Sequence, residues 1–218
     1  MATFYKQGSR GEVVKQIQKA LNLYPDGIFG PLTKERVMQF QRENGLTVDG
    51  IVGPATLAKL IPCWLRKSKR RITEIIVHCT ATQEGRHVTV DELRLWHKQK
   101  GWSDIGYHYV VYLDGTVHEG RNVDISGAHC TGHNANSIGV VYVGGVARDG
   151  KTDKDTRTDE QKAALLSLLM DLRKLYPDAR IIGHRDLSPD KDGNGIIEPK
   201  EWLKKCPSFD ARSEYRKI

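Results

Sequence analysis

The sequence lacks any long apolar run. No part of its 218 residues approaches the ~18 to 20 uninterrupted apolar residues that a membrane-spanning helix needs. Residues 1–7 also lack the apolar core of a signal peptide and lead into a polar, glycine-containing segment. We therefore expect a chain that is made in the cytoplasm without a signal peptide and that does not span a membrane.

Cysteine is scarce, and its positions form no paired framework. The four cysteines are at 63, 79, 130 and 206. Together with the missing signal peptide, this pattern favours reduced thiols. The sequence does not decide whether Cys79 and Cys130 meet in space as a bonded pair.

Acidic residues are outnumbered by basic ones. The chain has 34 Lys and Arg against 27 Asp and Glu, which gives a net charge of +7. This charge favours an anionic partner, and nucleic acid, acidic lipid and anionic cell-wall polymers all qualify. The hydrophobic fraction of 39% is that of an ordinary soluble protein, and the length suits one domain plus a smaller one.

Two similar segments repeat in the first sixty residues with a period of 23. They read DGIFGP at Asp26–Pro31 and DGIVGP at Asp49–Pro54, and each precedes a helix-like run. Proline suits the first position of a helix, because its missing N–H is not needed there and its φ is preset. We predict helices that begin at Pro31 and Pro54, although a repeated turn and helix is also typical of a plain duplicated packing unit.

A further helix is predicted before the first repeat. Apolar residues recur there at helical spacing, at Val13, Val14, Ile17 and Leu21. Ser9, with Glu12 three residues later, has the pattern of a capping box. We therefore predict a small three-helix N-terminal domain over residues 1–61. The basic segment 62–71, PCWLRKSKRR, is then a solvated linker or, alternatively, a contact for a polyanion.

The rest of the chain alternates strand and helix patterns. Capping-box patterns begin two helices, at 89–92 and 158–161. An Asp-Gly pair at 114–115 lies between two alternating apolar runs, as in a hairpin, and 137–143 is an apolar strand. This order of elements predicts an α/β domain over residues 72–218, with a mixed β-sheet flanked by helices.

Two of the predicted strands end in histidine. The run TEIIV precedes His78, and the run IIG precedes His184. Open α/β sheets bind ligands at the carboxyl ends of their strands, so the two rings are expected at one edge of a sheet. The other six histidines lack this context, and His87 and His97 lie in polar surroundings.

Cys206 follows His184 by 22 positions, with Lys204 just before it. This spacing is too wide for a zinc finger, whose closely spaced Cys and His pairs complete a tetrahedron locally. Two ligands from one segment, joined by a third such as His78 from elsewhere, would instead describe a catalytic metal site with an open position.

The N-terminal pattern resembles a known binding module. Its three parts are GSRGEVVKQIQKALN, DGIFGPLTKERVMQFQ and DGIVGPATLAKL. Over residues 6–61 they are similar to the three-helix peptidoglycan-binding domain found beside bacterial wall hydrolases. The resemblance implies a targeting module without chemistry of its own.

Five motifs of the second domain occur in the order of one family. They are VHCTAT, GYHYVVYLDGTVHEGR, GAHCTGHNANSIGVVYVGG, GHRD and KKCPSFD. With them, residues 72–210 resemble the phage-lysozyme type of N-acetylmuramoyl-L-alanine amidase, whose superfamily also contains the peptidoglycan recognition proteins. The resemblance implies that Tyr107 and Lys204 are catalytic. It also implies a zinc ion held by His78, His184 and Cys206.

This resemblance implies a peptidoglycan hydrolase with endolysin-like lytic activity. It would cleave the amide bond between N-acetylmuramic acid and L-alanine with a zinc-activated water. Peptidoglycan rather than nucleic acid is then the expected partner, and we expect a monomer that acts on the cell wall after release or delivery, as an endolysin or as a secreted effector. The alternatives are a non-catalytic recognition protein, against which Cys206 and Lys204 count, and a zinc endopeptidase, which needs another family's motifs.

The segment Gly127–Ser137 is rich in glycine and asparagine. We predict that it forms a wall of the substrate groove, with His129 or Asn136 touching substrate. The alternative is an ordinary polar turn.

Residues 190–201, DKDGNGIIEPKE, match a calcium-binding loop of the EF-hand type. The predicted ligands are Asp190, Asp192, Asn194, the Ile196 carbonyl, Glu198 and Glu201. Pro189 excludes the continuous helix that usually enters such a loop. The segment before Lys204 and Cys206 is therefore either rigidified by Ca²⁺ or closed by its own hydrogen bonds without an ion.

Overall fold

The structure is a computed structural model that describes residues 4–60 and 65–218. The chain divides into two compact units, Met1–Leu65 and Arg66–Ile218. Among the described residues, no helix combines the length and apolar character needed to cross a membrane. Cys63 lies outside the described residues. Free thiols are carried by Cys79, Cys130 and Cys206.

The N-terminal unit contains three short helices, α1 (Glu12–Ala20), α2 (Pro31–Glu43) and α3 (Pro54–Leu60). α2 and α3 begin at the two repeated prolines, as predicted. α1 begins after Gly11, whose φ of 116° suits glycine, whereas the Ser9 hydroxyl accepts a hydrogen bond from the Lys6 N–H. The predicted capping box at Ser9 is therefore wrong. The buried core consists of Val14, Ile17, Leu21, Phe29, Val37, Val52 and Leu60.

A buried glutamine closes the first repeated turn. Gln18 is 2% exposed, and its Nε2 lies 2.7 Å from Asp26 Oδ1, 3.0 Å from the Ile28 carbonyl and 3.2 Å from Thr33 Oγ1. Its Oε1 accepts a hydrogen bond from the Gly27 N–H at 2.9 Å. One side chain of α1 therefore satisfies the polar groups of the turn and contacts the first turn of α2.

The second repeat reproduces this network 23 positions later along the chain. Gln41 Nε2 lies 2.8 Å from Asp49 Oδ1, 2.9 Å from the Ile51 carbonyl and 3.1 Å from Thr56 Oγ1. The Gly50 N–H donates to Gln41 Oε1 at 2.9 Å. The repeat is thus a duplicated packing unit in which a glutamine of one helix holds the turn that leads to the next.

The basic segment differs from the predicted linker. Residues 61–64 lie outside the described residues, and the second unit begins at Arg66, six positions before its predicted start. The Ser68 N–H donates to the Tyr176 hydroxyl at 2.6 Å, and Ser68 Oγ donates to the Val123 carbonyl at 2.6 Å. Because these groups are buried partners within the second unit, this part of the segment is not a solvated linker.

A mixed five-stranded sheet forms the centre of the second unit. The strands of this unit are β1 (Glu74–Cys79), β2 (Thr82–Gln83), β3 (Tyr109–Val111), β4 (Val117–Glu119), β5 (Ser137–Tyr142), β6 (Gly145–Val146) and β7 (Arg180–Gly183). The sheet order is β4-β3-β5-β1-β7, and β2 pairs with β6 separately. β1 is parallel to both β5 and β7, whereas β3 and β4 form the predicted antiparallel hairpin. The predicted mixed α/β fold is confirmed.

Helices α4 (Val90–Gln99), α5 (Asp159–Leu175) and α6 (Ala211–Glu214) complete the unit. α4 begins after Thr89, whose Oγ1 accepts the Glu92 N–H at 3.2 Å, but Glu92 pairs with Arg86 at 2.8 Å instead of closing a capping box. α5 begins with a complete capping box of Thr158 and Gln161. β1 and β5 are buried along their whole length, as expected of strands with both faces covered.

Replacing Gln41 by alanine is expected to destabilise the N-terminal unit by about 2–4 kcal/mol, because buried turn groups lose their partner. Gln39, which is exposed on the same helix, is the matched control, and its replacement by alanine should change the free energy of unfolding by less than about 0.5 kcal/mol. Urea unfolding of the full chain measures both free-energy changes, with hydrogen exchange of the backbone amides of residues 4–60 as the probe of the N-terminal unit. Equal stabilities of the two variants would contradict the role of Gln41.

Candidate metal centre

Two histidines meet at the carboxyl edge of the central sheet. In the parallel pair of β1 and β7, Val77 lies opposite Gly183. His78 is therefore level with His184, the residue that follows β7, and the centroids of their rings are 4.8 Å apart. The prediction that these two histidines share one sheet edge is confirmed.

Cys206 reaches the same edge from the C-terminal segment. Its Sγ lies 3.7 Å from His78 Nδ1 and accepts a hydrogen bond from the Cys79 N–H at 3.2 Å. The Cys206 carbonyl accepts a hydrogen bond from the Arg185 N–H at 2.8 Å, which joins this segment to the residue after His184. Ligand atoms of the two histidines and Cys206 all lie within 4.8 Å of one another.

The three donors fit a tetrahedral divalent cation. Bonds of ~2.0 Å to nitrogen and ~2.3 Å to sulfur place neighbouring ligands about 3.5 Å apart in a tetrahedron. The distance of 3.7 Å between His78 Nδ1 and Cys206 Sγ is close to this value. Two imidazoles and a thiolate are typical zinc ligands, and a site with three protein ligands keeps one position open for chemistry.

Burial controls the protonation of these groups. It lowers the pKa of His78 well below the ordinary value, and together with the charge of Lys204 it lowers the pKa of His184 to about 4. Both rings are therefore neutral at pH 7 and offer a lone pair. Burial raises the pKa of Cys206 well above its ordinary value, so the thiol gives up its proton only when a cation replaces it.

The two predicted catalytic residues lie beside this cluster. The ring centroid of Tyr107 is 5.2 Å from that of His78, and burial raises the pKa of its phenol, which keeps its proton at neutral pH. Lys204 and His184 line the same cavity, which has a volume of about 440 Å³. Trp102, 39% exposed, also lines this cavity, although no sequence pattern indicated it.

His97 belongs to the surroundings of the site, although it was predicted to lie in polar surroundings. Its ring centroid is 5.4 Å from that of Tyr107 and 4.6 Å from that of Trp102. Its Nδ1 accepts the Gly106 N–H at 2.9 Å, and burial lowers its pKa to about 4. His97 thereby positions the backbone next to Tyr107. Its spacing of four from Leu93, on the buried face of α4, was the available sequence indication.

The groove segment, Gly127–Ser137, places its two predicted substrate contacts in different surroundings. His129 lies against the cluster, with Nδ1 3.0 Å from His78 Nε2. Asn136 is exposed at the end of the short 3-10 helix Asn134–Asn136, and its carbonyl accepts the Thr73 N–H at 2.8 Å. His129 lines the cavity together with Asn134, whose Oδ1 accepts the His129 N–H at 2.9 Å, whereas Asn136 does not. Substrate contact by His129 or Asn136 stays a prediction.

Arg70, from the basic segment, supports the groove segment from behind. Its guanidinium donates to the carbonyl groups of Ala135 at 3.0 Å and Ser137 at 3.1 Å, and its Nε donates to Val123 at 2.8 Å. A residue predicted as solvated linker therefore fixes the loop that borders the cavity.

The acidic loop brings together three of the six predicted calcium ligands. Carboxylate oxygens of Asp190, Asp192 and Glu201 lie within 4.8 Å of one another. Glu201 is 1% exposed and accepts the N–H groups of Lys191 at 2.7 Å and Glu198 at 2.9 Å. Glu201 is thus part of the closure of the loop as well as a potential ligand.

Two of the remaining predicted ligands, Asn194 and Glu198, serve the loop itself. Asn194 Oδ1 accepts the Ile196 N–H at 2.7 Å. Glu198 pairs with Lys200 at 2.7 Å, and Lys200 Nζ also lies 2.9 Å from Asp192 Oδ2. The loop is therefore closed by its own hydrogen bonds and ion pairs, and a cation would compete with Lys200 for Asp192.

Comparison with known proteins identifies the architecture. The family described as putative peptidoglycan binding domain matches residues 10–60, and the family described as N-acetylmuramoyl-L-alanine amidase matches residues 68–198. The fold and these matches thus define an amidase that carries an additional domain of the putative peptidoglycan-binding family. The chain belongs to the N-acetylmuramoyl-L-alanine amidase family.

Its relatives include phage enzymes. The endolysin of Enterobacteria phage K11 is 39% identical over 65% of this chain and 84% of its own length. The endolysin of Enterobacteria phage T3 is 41% identical over 68% of this chain and 89% of its own. Among solved structures, the endolysin amidase LysCS from Clostridium intestinale URNW is 26% identical with a TM-score of 0.51, covering 66% of this chain and 80% of its own.

Proposed function

We propose that this amidase cleaves the bond between N-acetylmuramic acid and L-alanine in peptidoglycan, with a zinc ion held by His78, His184 and Cys206. The observation that carries the proposal is the set of three donors within 4.8 Å of one another, one of which, His184, also lines a cavity of about 440 Å³. Both matched families concern peptidoglycan, and the phage relatives are named endolysins.

The metal would be held by two groups that are already unprotonated and by one that must first lose its proton. His78 and His184 would bind through neutral nitrogens, and Cys206 would bind as a thiolate after releasing its proton. Zinc would supply Lewis acidity and lower the pKa of a water molecule toward ~7, which makes a strong nucleophile available at neutral pH.

Lys204 and Tyr107, which lie beside the cluster, would assist the reaction. Attack at the lactyl carbonyl carbon would place negative charge on the carbonyl oxygen. The Lys204 ammonium on the cavity wall would stabilise that charge. Tyr107 retains its phenolic proton because burial raises its pKa, so it would donate a hydrogen bond or pass a proton toward the departing amine of L-alanine.

The N-terminal unit would keep the enzyme on its polymeric substrate. Binding to the wall through a second module raises the effective concentration of the catalytic unit at the bonds it cuts. The net charge of +7 favours approach to an anionic wall polymer. We expect cell lysis as the outcome, with the protein made in the cytoplasm and acting on the wall after release or delivery.

Mass spectrometry of purified peptidoglycan digested with this protein should reveal new amino termini of L-alanine together with intact glycan strands. A digest without products would instead favour a recognition protein. Products cut within the stem peptide or cross-bridge would favour an endopeptidase. Either of these two results would overturn the proposed reaction.

Cys206→Ala is expected to lose zinc and lytic activity together, whereas Lys204→Ala should retain zinc and lose activity by about 10²- to 10³-fold, the usual effect of removing one oxyanion donor. Lys205→Ala is the matched control, since Lys205 is an exposed neighbour that pairs with Asp153. Metal analysis and turbidity loss of cell-wall suspensions measure the two properties. A fully lytic Lys204→Ala protein would remove the lysine from the mechanism.

The acidic loop is proposed to bind Ca²⁺ through Asp190, Asp192 and Glu201, on the strength of their clustered carboxylates. Calorimetric titration of the zinc-loaded protein with Ca²⁺ should then give a binding isotherm, and added Ca²⁺ should raise the melting temperature of the wild type but not of Asp190→Ala. Asp178→Ala, at an exposed position elsewhere, should behave like the wild type. Absence of heat on titration, or stabilisation by Ca²⁺ that persists in Asp190→Ala, would leave the loop closed by its own hydrogen bonds.

A further inference from the structure

His129 is buried and hydrogen-bonded behind His78, one of the candidate metal ligands. The residue is 8% exposed, and its Nδ1 lies 3.0 Å from His78 Nε2. Its other nitrogen, Nε2, lies 3.3 Å from the hydroxyl of Ser137, which is fully buried. Although His129 also lines the cavity, both of its ring nitrogens are engaged by protein partners, and this geometry favours a role in holding the site together.

The direction of these hydrogen bonds follows from the position of Cys206. His78 Nδ1 is the nitrogen that faces the Cys206 sulfur, at 3.7 Å. A nitrogen that binds a metal carries no proton, so a neutral His78 ring must carry its proton on Nε2 and donate it to His129 Nδ1. His129 must then carry its own proton on Nε2, where it donates to Ser137 Oγ. Each of the two rings therefore has one tautomer that is compatible with this series of hydrogen bonds.

Two glycines make room for the His129 ring. A Cβ atom added at Gly127 would lie 2.4 Å from His129 Cδ2, and one added at Gly139 would lie 2.6 Å from the same atom. Neither glycine has a φ in the left-handed region, so space rather than backbone conformation accounts for them. The His129 backbone is held as well, because its N–H donates to Asn134 Oδ1 at 2.9 Å.

We propose that His129 is a positioning residue for the metal centre: it holds His78 in the tautomer and orientation that present Nδ1 beside Cys206. This inference rests on the proposed zinc site. It extends that site by a relay from Ser137 through His129 to His78, in which each imidazole orients the next group. Loss of such an outer partner of a metal-binding histidine typically lowers metal affinity by about 10- to 100-fold.

Two substitutions of similar size separate this role from simple space filling. Asparagine places its side-chain oxygen near the position of Nδ1, where it can accept from His78, whereas glutamine places its terminal groups near Nε2. On the full chain, competition with a chromogenic chelator should give His129→Asn a zinc dissociation constant within about threefold of the wild type. His129→Gln should bind zinc about 10- to 100-fold more weakly. The exposed His87 provides the control variant His87→Asn, which should match the wild type.

A spectroscopic measurement tests the tautomer directly. In the zinc-loaded wild type, nitrogen–proton correlation of the labelled imidazoles should place the His78 proton on Nε2, and in His129→Gln this proton signal should shift or exchange faster. Melting of the metal-free proteins shows whether the variants fold alike. If either variant does not fold, the signal of the wild type still decides, because a His78 proton on Nδ1 would overturn the inference.

Other results separate the failure of this inference from failure of the proposed function. Equal zinc affinity of His129→Gln and the wild type would overturn the positioning role and leave the zinc site in place. Equal weakening in His129→Asn and His129→Gln, with metal-free stability unchanged, would also overturn it, since acceptance at the Nδ1 position would then be irrelevant. A wild type without zinc affinity would instead overturn the proposed function, and this inference with it.

Discussion

The parallel pairing of β1 with β7 is the interaction on which the candidate site depends. Because Val77 and Gly183 are partners in that register, His78 and His184 lie together at one edge although they are far apart in the chain. A slip of one residue would turn one strand's side chains to the opposite face of the sheet. The hydrogen bond from the Arg185 N–H to the Cys206 carbonyl extends the same edge and brings the thiol to the two rings.

Burial sets the protonation states of the groups in the site. Hydrogen bonds from the surrounding residues offset the free-energy cost of burying these polar groups. Low dielectric surroundings disfavour charge, so His78 and His184 are neutral and Tyr107 keeps its proton. Buried polar atoms without partners would destabilise the fold. His97 supplies a partner beside Tyr107 and His129 supplies one behind His78, so residues outside the predicted ligand set support the cluster.

Sequence rules succeeded where the interacting groups are close in the chain. The helices after each repeated turn begin at proline, and the Thr158 box caps α5, because each depends on neighbours within one helical turn. The rules failed at Ser9, where Gly11 offered another start for α1. They also failed for the basic segment around Ser68, whose hydrogen-bond partners lie 55 and 108 positions away.

The sequence by itself determined the types and order of the elements, the duplicated turns and the candidate ligand set. These follow from hydrophobic periodicity, from the conformations of proline and glycine, and from family motifs. Only the tertiary structure decided that His129 stands behind His78, that Asn134 rather than Asn136 borders the cavity, and that three of the six loop ligands converge. Distances, burial and proton positions arise from contacts between residues remote in the chain, and no local pattern contains them.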